Sequence, residues 1–435
     1  MAGNVIIVGA GLAGCLLAVQ LGQAGYQVVV LERRSDPRKA GVIGGRSINL
    51  AISERGLAAL DRAGLKERLL EKAIRMPGRM IHTAQSAIFQ PYSSDAKRAI
   101  NSMSRSGLNF ALLEAADQLD NVTIIFDAPC AEVDFETPAV QTQDGKTYTA
   151  DIVIGADGAY SAVRQALEKT PGFNFQESYL DHGYKELHIP PVDSGAHAPF
   201  AMEPHALHIW PHGGSMMIAL PNPDGSFTCT LFWPFTGAHS FEEVESGDIS
   251  DFFRRHYPDV VDLMPTLLED YEQNPTSRLV TIRCEPWSRG RVVLLGDAAH
   301  AIVPFYGQGA NAAFEDCSAF TDALAANPDD IDRAIGAFQS ARIEHANAIA
   351  DMAIDNFLEM RDHTGSSMRR LGKKGSQALG RIVPALWTPL YDMVSFTTIP
   401  YADARRKARR QARVATGLAA LSFVLLCILV LVLIW

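Results

Sequence analysis

The sequence predicts an α/β fold: a parallel sheet wrapped by helices, an antiparallel sheet inserted into it, and a helical C-terminal region that ends in a membrane span. Three observations carry this expectation. The first 34 residues read strand, glycine-rich turn, helix, strand. Two later passages, "DIVIGADGAYSAVR" and "RVVLLGDAAHAIVPFYGQGAN", repeat the order of apolar strand, Gly-Asp or Asp-Gly turn and helix. Between them lies period-two alternation, and the last 22 residues carry no charge.

The elements follow in chain order. Val5 to Val8 is a continuous apolar run, as a strand buried on both faces requires. Gly9, Gly11 and Gly14 then spell G-x-G-x-x-G, and Leu12, Leu16, Leu17 and Leu21 give the following helix its apolar face. Gln27 to Leu31 is the second strand and ends at Glu32. Gly9 serves the tight turn, Gly11 the approach of a pyrophosphate to the backbone, and Gly14 the close packing of helix on strand. The acid accepts ribose hydroxyls. An acid there disfavours a 2′-phosphate, which leaves NAD or FAD. This apolar opening resembles a signal peptide in composition but lacks a basic leader.

The two later turns separate NAD from FAD. An NAD domain needs only the first turn. A flavin needs a polar group beside its ribityl chain, and Asp297 after a buried strand suits that; Asp157, at the end of the other strand, is read as a second cofactor-binding acid. A flavin also needs a positive dipole where its ring collects charge, and a helix opening at Gly309, Ala310 and Asn311 supplies one. Pro304, Phe305 and Tyr306 lie between acid and helix and line the reaction pocket.

Composition limits the alternatives. The chain has 435 residues, 47% of them hydrophobic, and a formal charge of −10, so a nucleic-acid partner is not expected. The six cysteines form no CxxC pair, which argues against a zinc site or a disulfide framework, and no metal is expected. The domain reading is a discontinuous dinucleotide domain at 1–75, 100–175 and 285–340. A substrate domain takes 76–99 and 176–284, where "ALHIWPH", "SMMIALPN" and "FTCTLFWP" alternate. A helical pocket-closing region takes 341–404, and 405–435 forms a basic flank and anchor. Val414 to Trp435 as a helix would span ~33 Å, a bilayer's hydrocarbon thickness. The six basic residues of 405–413 place the preceding domain on the cytoplasmic side, with membrane lipid as a partner.

The trio GAGLAG, GADG and GDAAH resembles the single-component flavin aromatic hydroxylases. "GRSINLAIS", "RMIH", "MEPHALHIWPHG", "HAIVPFYGQGANAAFEDC", "NFLEMRDH" and "PLYDMVSF" are similar to the branch of that family that acts on L-kynurenine, over nearly the whole chain. The resemblance implies non-covalent FAD with NADPH as transient co-substrate. It also implies addition of O2 at flavin C4a and hydroxylation of L-kynurenine to 3-hydroxy-L-kynurenine, a step of tryptophan degradation. No side-chain nucleophile or acid–base is implied. It places the substrate carboxylate on Arg79, with Tyr92, Asn356 and Tyr391 around it. It places the flavin on Leu12, Ala13, Leu31, Glu32, Arg33, Arg34, Arg46, Ala51, Arg105, Asp297, Ala310 and Asn311. Ala310 departs from the Met more common there, and Tyr306 from Phe or His. Two alternatives stay open: a hydroxylase of another anthranilate-like substrate, and a tail-anchored flavoprotein reductase or redox sensor. Oligomeric state is not legible.

Overall fold

The computed structural model describes residues 3–39, 49–83, 86–93, 95–245, 247–361 and 387–434. The chain forms two compact units, Met1–Gly365 and Ser366–Trp435.

In the first unit a six-stranded sheet runs in the order Ser288–Arg289, Val292–Leu294, Ile152–Gly155, Asn4–Val8, Gln27–Leu31, Val122–Ile125. All neighbours are parallel except the first pair. The inner strands are buried along their length: Val5 to Val8, Ile152 to Ile154 and Val292 to Leu294 all belong to the core. Removing such runs from water on both faces is what makes the sheet parallel and central. The Leu12–Gln23 helix presses Leu16, Leu17 and Leu21 into that core. Three strand ends, after Val8, Gly155 and Leu294, lie side by side at the sheet's carboxyl edge, where open α/β sheets bind ligands.

A seven-stranded sheet, ordered Ser277–Glu285, Asn174–Ile189, Phe227–Pro234, Ser215–Pro221, Ala206–His212, Gly78–His82, Ala87–Pro91, makes the second layer. It is antiparallel except where Ala206–His212 meets Gly78–His82. Its two faces are chemically distinct. One carries Leu187, Ile189, Trp210, Met217, Cys229, Leu231 and Trp233 against the short helices Ile249–His256 and Leu267–Gln273. The register puts Arg79, Leu207, Ile218, Met216, Phe232 and Tyr184 on the other. A three-stranded sheet of Asn49–Ile52, Ile100–Ser104 and Ile74–Met76 bridges the layers, and a second three-stranded sheet spans Cys130–Thr149.

That bridge is stapled by polar contacts. Asn49 Nδ2 donates to Asn222 Oδ1 at 2.7 Å and to the Pro221 carbonyl at 3.0 Å, and Ser102 Oγ donates to the same carbonyl at 3.0 Å. Asn49 is 5% exposed, so these bonds do not compete with bulk water.

The second unit corrects one expectation. The tail read as a membrane span at Val414 to Trp435 is not a separate apolar element. It is part of one helix, Tyr401–Ile434, whose first half carries Arg405, Arg406, Lys407, Arg409, Arg410 and Arg413. Six cations share that rod, and among the described residues no helix is long and apolar enough to cross a membrane. The membrane-lipid partner loses its basis with it. The shorter Leu390–Ser395 helix packs on this rod.

Asn49→Ala should lower the free energy of unfolding by about 1–3 kcal/mol, because it takes a donor from Asn222 Oδ1 and leaves the Pro221 carbonyl with Ser102 alone. Denaturant unfolding of wild type and variant checks this.

Candidate functional site

The three strand ends are drawn together by glycines. Gly9 has φ +104°, and a Cβ there would lie 2.7 Å from the Ala156 carbonyl oxygen. A Cβ at Gly14 would collide with the Gly9 carbonyl oxygen, so helix and strand touch through backbone alone. Gly11 differs. Nothing lies within 4 Å of where its Cβ would be; it is the N-cap of Leu12–Gln23, and no side chain caps that helix. Backbone N–H groups and the positive end of a dipole therefore face open space, as a pyrophosphate requires. Gly296 (φ +62°) brings the Asp297 turn into the same cleft: a Cβ there would sit 3.1 Å from Ala313 Cβ and 3.5 Å from Ala13 Cβ.

The three acids have separate roles. Glu32 is buried, and its carboxylate accepts from Ala10 N at 2.8 Å and from Arg34 N and Nε at 3.0 and 2.7 Å. Burial pushes its pKa up, but the bonds from Arg34 and Ala10 outweigh that and hold it below the usual range. An ionised acceptor at this strand end fits ribose hydroxyls. Asp157 instead caps the Ala162–Glu168 helix, its Oδ2 accepting from Ala162 N at 2.6 Å and Val163 N at 3.3 Å. Its buried Oδ1 has no protein partner, and burial raises its pKa. Asp297 opens the Asp297–His300 turn, half-buried, and its carboxylate makes no hydrogen bond among the described residues. It is an acceptor that could serve a cofactor's hydroxyl chain.

The Gly309–Ala326 helix also starts without a side-chain cap. Asn311 is fully buried, and its amide is spent on protein: Nδ2 donates to the Ala51 and Gly307 carbonyls at 2.9 and 2.8 Å, and Oδ1 accepts from Ser53 N at 2.9 Å. Gly309, Ala310 and Asn311 thus have backbone N–H groups, not the Asn311 amide, to offer a ligand, with Ala51 tied to the same corner. An uncapped helix start, a bare Gly11 and two carboxylates with spare capacity fit a flavin dinucleotide.

Across the cleft, Arg79 and Tyr92 come together, with the Arg79 guanidinium carbon 5.3 Å from the Tyr92 ring centroid. Phe305 packs between Phe232 and Phe357, at 5.0 and 4.5 Å between ring centroids. Asn356 Nδ2 donates to the Phe305 carbonyl at 2.6 Å, which fixes the Pro304–Tyr306 turn against the Ile331–Arg361 helix. Tyr306 is half-buried beside this aromatic group, and Pro304 is exposed.

Comparison with known proteins now adds to the geometry. A family model described as an FAD binding domain matches residues 3–352. A kynurenine 3-monooxygenase from Dictyostelium discoideum is 46% identical, over 92% of this chain and 90% of its own. One from Myxococcus xanthus is 46% identical over 92% and 87%. The chain belongs to the kynurenine 3-monooxygenase family. It is an FAD-dependent aromatic hydroxylase, and its cofactor is FAD. Among solved structures, 2-methyl-3-hydroxypyridine-5-carboxylic acid oxygenase shares the fold at a TM-score of 0.69 and 20% identity, over 83% of this chain and 93% of that one. P. aeruginosa PqsL in complex with 2-aminobenzoylacetate does so at 0.68 and 21%, over 84% and 98%.

The remaining expected residues divide. Leu12 and Ala13 sit half-buried at the helix start, Leu31 is buried, and Arg33 and Arg34 are exposed beyond the strand. Arg105 is exposed at the start of the Arg105–Asp117 helix. Arg46 lies outside the described residues. Tyr391 belongs to the second unit, on the Leu390–Ser395 helix, 6.1 Å ring to ring from Phe396.

Sequence reasoning missed a buried ionic knot beneath Asp297. Asp316 is fully buried; its Oδ2 accepts from His300 Nε2 at 2.5 Å and Gly296 N at 3.1 Å, and its Oδ1 from Arg342 Nε at 2.7 Å. Arg342 and the fully buried Arg55 each pair with Glu315, at 2.8 and 3.0 Å. Glu315-Asp316, two acids set in the apolar frame "ANAAFEDCSAF", was the readable signal. The knot fixes the turn that presents Asp297. His300, three residues after Asp297, is bonded to Asp316.

Two outcomes follow. Gly11→Val fills space that no protein atom occupies, so the protein should fold while the flavin absorbance of the purified protein is lost. For Asp316, burial pushes its carboxyl up, yet His300 and Arg342 hold it below the usual range. A depressed carboxylate contributes stability that is present above its unfolded pKa of about 4 and lost as pH falls through its folded value. Asp316→Asn should therefore cost about 3–5 kcal/mol at neutral pH, with the gap to wild type shrinking below about pH 4. Unfolding free energies across pH check the sign.

Proposed function

We propose that this enzyme hydroxylates L-kynurenine to 3-hydroxy-L-kynurenine with NADPH and O2. The single observation that carries the reading is Arg79 over the Tyr92 ring, on the sheet face that also bears Phe232 under the Pro304–Tyr306 turn. Kynurenine joins an α-carboxylate to an aminophenyl ring. The site has a cation for the first and an aromatic floor for the second. The relatives' name supports the same substrate.

The chain's own residues bind and orient. Arg79 offers a planar fork that can take both carboxylate oxygens and never loses its charge. Tyr92 stacks behind it and keeps the guanidinium directed. Phe232, Phe305 and Phe357 exclude water around the ring, and Asn356 holds the turn that brings Phe305 in. Asp297, Gly11 and the backbone at Gly309 to Asn311 are the groups that would hold FAD. When bound, FAD takes reducing equivalents from NADPH and activates O2 for insertion of one oxygen atom into the ring. The ring's amine makes the carbon beside it electron-rich, so no side-chain nucleophile is needed.

Arg79→Met keeps the apolar stem and removes the fork. Kynurenine affinity should fall by ~30-fold to several thousand-fold, corresponding to ~2–5 kcal/mol, with flavin content retained. NADPH consumption with and without kynurenine, measured with flavin occupancy on one preparation, decides it. Wild-type kynurenine affinity in the variant removes Arg79 from the substrate site. Faster turnover of another aminophenyl acid by wild type would replace kynurenine as the substrate.

A further inference from the structure

The strand that bears Arg79 is gripped from behind by groups the chemistry does not use. Gly78–His82 pairs in parallel with Ala206–His212 from Gly78 through Ile81, and antiparallel with Ala87–Pro91 over its whole length, so His82 is held by a ladder on one side only. It points to the face opposite Arg79. There His82 Nδ1 is 2.6 Å from Asp259 Oδ2, and His82 Nε2 is 2.8 Å from His208 Nδ1. His208 Nε2 is in turn 2.8 Å from the Glu203 carbonyl oxygen.

A carbonyl oxygen only accepts, so His208 Nε2 carries a hydrogen. His208 is 2% exposed, and burial pushes its pKa down to about 4. It is neutral, and its Nδ1 is a lone pair that must accept. His82 Nε2 is then a donor. Asp259 accepts Trp210 Nε1–H at 3.0 Å on both oxygens; burial pushes its carboxyl up, but the bonds from His82 and Trp210 hold it low. Asp259 is thus an acceptor, and His82 Nδ1 is a donor as well. Both ring nitrogens of His82 donate. The ring also lies flat on Trp210, 4.0 Å between centroids and 20° from parallel, which favours a cation.

We infer that His82 is held as an imidazolium between Asp259 and His208, and that this clamp positions the Arg79 strand for the substrate carboxylate, so that substrate affinity falls as His82 loses its proton. The positioning role rests on the proposed substrate reading; the clamp does not. The groups facing His82 are Asp259 and His208, with His212 acting on the same Asp259. The adjoining strand Ala87–Pro91 brings no titratable side chain. The Glu203 carboxylate is turned toward His205 N at 2.9 Å and faces His197 at 3.7 Å. When the proton leaves, one of the two bonds must go, and His82 loses part of its hold on the side where the ladder with Ala206–His212 has stopped. Arg79 sits three residues back on the same strand.

The test uses the full-length holoenzyme with nitrogen-15 in its histidines, titrated from about pH 5 to about pH 9, a range that includes the window in which imidazoles change charge. His82→Gln identifies the His82 signal. The expected result is a doubly protonated ring at the acid end and one transition, displaced to lower pH in Asp259→Asn. The wild-type KM for kynurenine should rise through the same transition, with kcat less affected. His82→Gln retains one donor and cannot titrate. Its KM should be raised about 2- to 30-fold at the acid end and lose that pH dependence. A single neutral tautomer at His82 throughout would overturn the clamp. A KM in His82→Gln that follows pH as in wild type would overturn the positioning role. No kynurenine turnover by wild type would sink the substrate reading and the positioning role together, while the nitrogen spectrum would still decide the clamp.

Discussion

The approach of the Leu12–Gln23 helix to the strand before it governs the rest of the molecule. Only hydrogen at Gly14 lets the helix rest on the Gly9 carbonyl, and only that closeness lets the helix begin at the sheet's edge beside Ala156 and Gly296. Were the helix displaced outward by one methyl group, the three strand ends would no longer share a cleft. The open space before Gly11 is the complement of that crowding: two glycines are filled by neighbouring backbone so that the third can stay empty.

The second sheet solves a different problem, that of serving two environments with one layer. Period-two alternation sends Trp210, Met217, Leu231 and Trp233 into a dry core and leaves Arg79, Met216 and Phe232 for the cleft. A slip of one residue would exchange these sets, so the register is under strong hydrophobic control. The aromatic turn Pro304–Tyr306, brought across from the first sheet, closes the space from above.

The parallel sheet and its cleft were legible because their signals are local. Apolar runs, glycine spacing and an acid at a strand end all lie within about 30 residues of one another. Asp297 could be read in the same way. The knot of Asp316, His300 and Arg342 could not, since its partners are brought together by packing of separate helices and the turn between them. Asp157 was read as a cofactor group, whereas hydrogen bonds to Ala162 and Val163 make it first a helix cap. Arg79, Tyr92 and Asn356 carry no pattern of their own and were reached only through likeness to a family. The tail was misjudged by weighing its last 22 residues apart from the six cations on the same helix.

The Asn311 amide and the Asn49 amide stand at opposite ends of one short strand, Asn49–Ile52 and its flanking serine. Asn311 ties that strand to the start of the Gly309–Ala326 helix, and Asn49 ties it to Pro221 and Asn222 at the end of a strand of the seven-stranded sheet. A displacement at either end is therefore felt at the other through two hydrogen-bonded amides and four residues of extended chain. Free energy transmitted along such a link is reciprocal. Whatever substrate occupancy does to the retention of cofactor, cofactor occupancy does to the affinity for substrate, by the same factor.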